Sequence, residues 1–199
     1  VCTSAASYSP GTFGSADQGG QELGSDTQDN PPDFTQSLVW GGGLGSGVEI
    51  NFELFAGGGG SNTPDWPTAL GAASNVDLAT AIDVLGLVLS NPNGSGQAQD
   101  VYFVTAGTLN VTSASATANS TFAGSFSNVA SQHIMLTANG DLDFGSDGNP
   151  VFADSCMTAV TAGTFSTTIK AAGSAVETEP NQALRIMHAL QGWRSHNAP

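Results

Sequence analysis

Lysine and arginine are almost missing from this chain. Residues 1 to 169 contain neither, and the three bases present are Lys170, Arg185 and Arg194. With 17 acids against them, the net charge is −14. Nucleic-acid binding depends on cationic neutralisation of phosphates, so this balance excludes it as an expected partner. The same repulsion argues against anionic lipid surfaces, and phosphorylated metabolites lack the usual Arg or Lys clamp. Neutral ligands, cations and other proteins remain.

Charge of either sign is scarce: only 10% of residues are charged, against roughly 25% in ordinary soluble domains. The polar surface must therefore be built from Ser, Thr, Asn, Gln and Gly, residue types that favour turns and exposed sheet faces over helix interiors. Apolar runs of the roughly 18 residues a membrane helix needs are also absent, so no membrane span is expected. The chain starts at Val1 with no leader ahead of it, which reads as a mature end after signal cleavage, secreted or at the cell surface.

Cysteine is nearly absent too. Cys2 and Cys156 are the two present, and no C-x-x-C or Cys/His cluster offers a zinc site. Two cysteines in a Ser/Thr/Gly-rich chain predict one intrachain disulfide in an oxidising compartment. Closing a loop of that size would stabilise by about 5 kcal/mol in the chain-entropy picture. Cys2 is second rather than first, which favours a disulfide over a lipid anchor.

Catalytic signatures fail in turn. G-x-S-x-G, H-E-x-x-H and a P-loop do not occur, and Gly41 to Gly47 lacks a following Lys and reads as loop punctuation. Glu49 and Glu53 share one strand face but stand about 13 Å apart along it, whereas glycosidase carboxylates need roughly 5 to 9.5 Å. His133 reads as an ordinary strand histidine. The chain is expected not to be an enzyme.

The patterning that is present indicates strands. Val48, Ile50, Phe52 and Leu54 alternate with Glu49, Asn51 and Glu53, predicting a strand with one buried and one wet acidic face. Asn75 to Ser90 fits either a helix or, in its second half, a buried strand; the turn Asn91-Pro92-Asn93-Gly94 favours the strand. Further strands are predicted near Thr3 to Phe13 and over 101–104, 108–113, 121–126, 133–137 and 159–169. Trp40 reads as core. This spacing predicts an all-β fold, an antiparallel β-sandwich or jelly roll, over residues 1–175, with residues 1–35 an N-terminal strand and Gly-rich loop.

Residues 176–199 differ. Leu184, Met187, Leu190 and Trp193 fall near helical spacing, with acids ahead of them and Arg185 and Arg194 within, as the helix dipole prefers. This short C-terminal helix either closes one end of its own sandwich or serves as an assembly arm. In the second case the four apolar residues would anchor a neighbour and the two arginines would meet its carboxylates.

Two ligand sites can be read. Asp141, Asp143 and Asp147, spaced by glycines, could converge on calcium, although the closing Glu of an EF-hand loop is missing and a plain acidic hairpin turn is the stronger reading. Trp66 with Asp65 beside it, in a loop, is placed as a sugar-stacking aromatic would be. Sequons occur at Asn93, Asn110 and Asn119.

The run Asp100-Val-Tyr-Phe-Val-Thr-Ala-Gly-Thr-Leu-Asn-Val-Thr, then Phe122-Ala-Gly-Ser-Phe-Ser-Asn-Val129 and Ser155-Cys156-Met157-Thr158, resembles predicted secreted proteins of myxobacteria and their relatives. The resemblance covers residues 36 to 169. It implies an extracellular β-sandwich, with no assigned activity and no catalytic residues to carry over. Together these readings lead to a non-catalytic extracellular structural or interaction protein, a self-assembling filament or surface-layer subunit. Its expected partners are copies of itself or other extracellular proteins, and it needs no cofactor. The alternative is a calcium-assisted carbohydrate-binding module that takes glycans.

Overall fold

Alternating apolar and polar side chains need a sheet with two unlike faces, and the chain builds one. The computed structural model describes residues 7–8, 11–13, 20–22, 36–45, 47–56, 71–92, 97–115, 117–169 and 182–197. Its elements are β1 (Ser7–Tyr8), β2 (Gly11–Phe13), β3 (Gly20–Glu22), β4 (Gln36–Gly45), β5 (Val48–Ala56), β6 (Ala73–Asp77), β7 (Val84–Pro92), β8 (Ala98–Ser113), β9 (Thr121–Ile134), β10 (Phe152–Thr168) and α1 (Gln182–Asn197). The strands form one curled sheet in the order β1-β10-β9-β8-β7-β5-β4-β3, with β2 also on β10 and β6 also on β8. Pairing is antiparallel except for β1 and β2, which run parallel to β10. The fold is the expected all-β sandwich with a short C-terminal helix. No helix among the described residues is long and apolar enough to cross a membrane.

Several expected strands merge. Residues 101–104 and 108–113 are one strand, β8, with register shifts between Val104 and Thr108. Of the strand expected at 133–137, only His133 and Ile134 are strand, as the end of β9; residues 135–137 belong to the connection that follows. In the ambiguous stretch, β6 ends at Asp77 and β7 begins at Val84, so its second half is a strand as expected. The glycine run is a correction. Gly41, Gly42 and Gly43 lie within β4, paired with Asn51, Ile50 and Glu49, and are no loop.

Period-two alternation splits the interior into two cores. Ile50, Phe52, Val88, Tyr102, Val104 and Phe126 point into the fold of the sheet. Their neighbours Leu85, Leu87, Val101 and Phe103 point the other way and are covered by Ile186, Met187 and Leu190 of α1. The result is three layers: sheet on sheet, with a helix over part of one outer face.

Trp40 joins the layers of the first core. It stacks on its cross-strand partner Phe52, with ring centroids 5.5 Å apart, and meets Phe126 of β9 at 5.9 Å and Phe165 of β10 at 4.3 Å. Since β4 and β10 lie near opposite ends of the strand order, these contacts require the sheet to curl over on itself.

Two glycines make room for the rings. Phe52 faces Gly86, where a Cβ would come within 2.8 Å of the ring, and Phe165 faces Gly124, where a Cβ would come within 2.6 Å. Each phenyl ring occupies the space its partner leaves empty. Replacing Trp40 with Ala removes the ring that touches both sides. The expected cost is about 3–5 kcal/mol, read as a lower midpoint in denaturant unfolding with an unchanged far-UV spectrum before the transition.

Candidate functional site

The helix residues expected to anchor a neighbour are engaged within the chain. Met187 and Leu190 are fully buried, with Ile186, against the outer face of the sheet. The Arg194 guanidinium is almost fully buried, donates to the carbonyls of Ala81, Val84 and Leu78, and lies 4.8 Å from the Phe103 ring centroid. Burial pulls its pKa down from the ordinary arginine value. Arg185 Nε donates to Asp141 Oδ1 at 2.8 Å, and Trp193 Nε1 donates to Asn149 Oδ1 at 3.1 Å. Of the proposed arm, only the Leu184 side chain lies outside the described residues. Between the two readings of this helix, the structure has it docked in cis.

That docking also corrects the expectation for Glu53. Alternation alone puts its side chain on a wet face with Glu49. Glu49 is exposed, but α1 covers Glu53 completely and brings His188 Nε2 to 2.9 Å from its Oε1. A buried carboxylate needs such a partner to offset its desolvation.

The calcium expectation is likewise corrected. Asp141, Asp143 and Asp147 do not form a cluster; the one group of potential ligands within reach of one another among the described residues is His133, Asp154 and Cys156. The physical reason is the path of the connection from β9 to β10, which makes two successive tight turns. Thr137 N–H bonds to Asp141 C=O and Gly140 N–H to Thr137 C=O; eight residues on, Gly145 N–H bonds to Asn149 C=O and Gly148 N–H to Gly145 C=O. Asp141 closes the first turn and is taken by Arg185, while Asp147 sits inside the second and accepts from Asn149 N–H. Hydrogen bonding from the Asn149 side chain first, and also from its N–H, lowers the Asp147 pKa. Asp143 lies between the turns, so the three carboxylates serve different places.

Backbone bonds close this connection into a ring. Met135 N–H donates to Val151 C=O, Val151 N–H to Asp143 C=O, and Asp143 N–H to Met135 C=O, at 2.8–3.0 Å. Around it lie the large apolar side chains that are exposed among the described residues: Met135 at 42%, Phe144 at 38%, Phe152 at 43% and, further along β10, Met157 at 46%.

Next to this ring stands a trio that the sequence did not single out. His133 Nδ1 is 3.2 Å from both Asp154 oxygens and its Nε2 is 3.7 Å from Asp100 Oδ1, with Tyr102 stacked on the imidazole at 4.9 Å. The residues come from β8, β9 and β10, so only the register brings them together, and no motif could announce it. Cys156 is disulfide-bonded, so it offers no thiolate to a metal or a substrate. Its sequence-expected partner, Cys2, lies outside the described residues, as do Asp65 and Trp66. Two imidazole–carboxylate contacts thus join β8, β9 and β10.

Away from the helix, the outer face of β8, β9 and β10 is a grid of small uncharged residues. Asn110, Ser125 and Thr164 stand opposite one another across the three strands, as do Thr108, Ser127 and Ala162; Ala123 and Ser166 continue the array. Asn110 accepts a hydrogen bond from Asn75 N–H at 2.8 Å.

Two outcomes test these assignments. Arg194→Ala should destabilise the fold by about 2–4 kcal/mol, since it leaves three buried carbonyls short of a charged donor and removes a cation–π contact; Arg194→Lys should recover only part, lacking the planar fork. The measurement is denaturant unfolding of the two variants. The Asp154 carboxyl is held below its ordinary 3.8 first by the Cys156 N–H and also by His133. A depressed carboxyl contributes stability above its unfolded pKa and loses it as pH falls through the folded one. The stability gap between wild type and Asp154→Asn should therefore be constant near neutrality and narrow below about pH 4, read from melting temperatures across an acid series. No protein-family model matches the chain, and neither a curated protein nor a solved structure does.

Proposed function

We propose that the chain is a non-catalytic extracellular structural or interaction protein that assembles with copies of itself. The observation that carries this reading is the placement of exposed apolar surface. Met135, Phe144, Phe152 and Met157 all lie between residues 135 and 157, around and beside one backbone ring. Exposed apolar side chains gathered in one place mark contact surfaces, whereas scattered ones do not.

Two further points support it. The disulfide at Cys156 suits an oxidising, extracellular setting. The groups best able to do chemistry are engaged in holding the fold: His188 with Glu53, His133 with Asp100 and Asp154, and Arg185 with Asp141. The grid on the outer sheet face adds a broad surface without charge, which places no repulsive barrier between acidic copies.

Static light scattering and negative-stain microscopy of the purified chain test the proposal. Multimers are expected at micromolar concentration. The double change Phe152→Ser, Met157→Ser should weaken association about tenfold or more, from the apolar area lost, while leaving the melting temperature near wild type. A wild-type chain that stays monomeric at every concentration would overturn the reading.

A further inference from the structure

His133 stands between two carboxylates, and its two ring nitrogens meet them differently. On one side Nδ1 lies 3.2 Å from both oxygens of Asp154. A carboxylate only accepts, so Nδ1 carries the proton of that contact. Asp154 is itself fixed, because its Oδ1 accepts from Cys156 N–H at 2.8 Å, and that N–H is the first cause holding its carboxyl below the ordinary value. The ring is further set by Tyr102, directly opposite on β8 and stacked on it at 4.9 Å.

On the other side, Nε2 lies 3.7 Å from Asp100 Oδ1. That is beyond hydrogen-bond distance. With the proton on Nδ1, Nε2 of a neutral ring presents a lone pair, so two electron-rich atoms face each other and favour a cation between them. The spacing is close to what a metal ion sets. With bonds of about 2.0–2.1 Å, a tetrahedral ion holds its ligand atoms about 3.3–3.4 Å apart. A side-chain shift of a few tenths of an ångström reaches that distance.

The place in the fold suits a staple. Asp100 belongs to β8 and His133 to β9, and the ladder between these strands starts at Val101 opposite Ile134. Past that pair the chain leaves β8, as Met135 N–H turns to Val151 C=O. The side chains of His133 and Asp100 are 18% and 35% exposed, so an ion reaches them from solvent and water completes its shell. The net charge of −14 draws cations toward the surface.

We propose that His133 Nε2 and Asp100 Oδ1 are the protein ligands of an exchangeable divalent transition-metal ion of the zinc class, with Asp154 as the positioning residue that fixes the ring. Imidazole selects zinc, cobalt, nickel or copper over calcium and magnesium, which take oxygen ligands. A metal-ligating histidine gives its other N–H to a carboxylate or carbonyl, the part that Asp154 plays here. Two protein ligands are fewer than the four of a closed structural site, so the ion exchanges with solvent. The site lies within one chain and does not depend on self-assembly.

Isothermal titration of the full, oxidised chain with zinc chloride at neutral pH tests this, with the visible absorption of added cobalt(II) reporting the ligand set. One saturable ion per chain and a raised melting temperature are expected. His133→Gln and Asp100→Asn should each lose saturable binding. Asp154→Asn should weaken it about 10- to 100-fold and alter the cobalt spectrum, and Asp154→Glu should restore part of the affinity. Imidazole nitrogen chemical shifts of the wild-type chain keep the test independent of how the variants fold: zinc should move Nε2 of His133 while Nδ1 keeps its proton. The competing occupant is a second proton. A His133 ring protonated on both nitrogens at neutral pH and unmoved by zinc would overturn the proposal, as would zinc binding that His133→Gln leaves intact.

Discussion

The contact between Trp40 and Phe165 is what makes this sheet a sandwich. A strand order that runs from β10 through β8 to β4 could lie open, with its apolar face to water. Bringing those two rings to 4.3 Å forces the sheet to fold over, and the contacts of Trp40 with Phe122 and Phe126 of β9 follow from the same approach. Aromatic pairs at such distances add to the burial of their area. The glycines at 86 and 124 are what allow the rings to sit so close to the opposing strands.

Once the sheet has curled, its outer face poses a second problem, and the chain treats the two halves of that face differently. Where Leu85, Leu87, Val101 and Phe103 point outward, α1 covers them. The helix is fixed by polar contacts as well as burial: Gln182 bonds both backbone groups of Ala98, and His188 and Arg194 reach Glu53 and the loop before β7. Where Thr108, Asn110, Ser125 and Thr164 point outward no cover is required, because those side chains are content in water. The boundary between covered and bare surface is thus drawn by side-chain polarity along β8 and β9.

Much of this was legible in the sequence, and the reasons for the rest are specific. Alternation along Val48 to Leu54 gave both the strand and its inner face, because period two is a local property. Trp40 read as core from its apolar neighbourhood. Local signals could not show that Glu53 is buried, since the cover comes from a helix more than a hundred residues later in the chain. The glycines of β4 look like a loop because glycine disfavours strands in isolation; pairing with β5 overrides that preference. The acidic turns were recognised as turns, but whether their carboxylates converge depends on the eight-residue path of the ring around Met135, Asp143 and Val151. The His133 trio depends on register across three strands and leaves no trace in spacing.

The position of the helix at the end of the described chain has a bearing on synthesis. Chains emerge N-terminus first, and β7 and β8 are complete well before α1 exists. Until it does, Leu85, Leu87, Val101 and Phe103 form an uncovered greasy strip on a sheet that is otherwise ready to close. Such a chain is exposed to sticking for the whole interval, and a holding factor acting during synthesis would find its surface there. Any truncation that spares the strands but loses the last helix would keep the polypeptide in that vulnerable stage indefinitely.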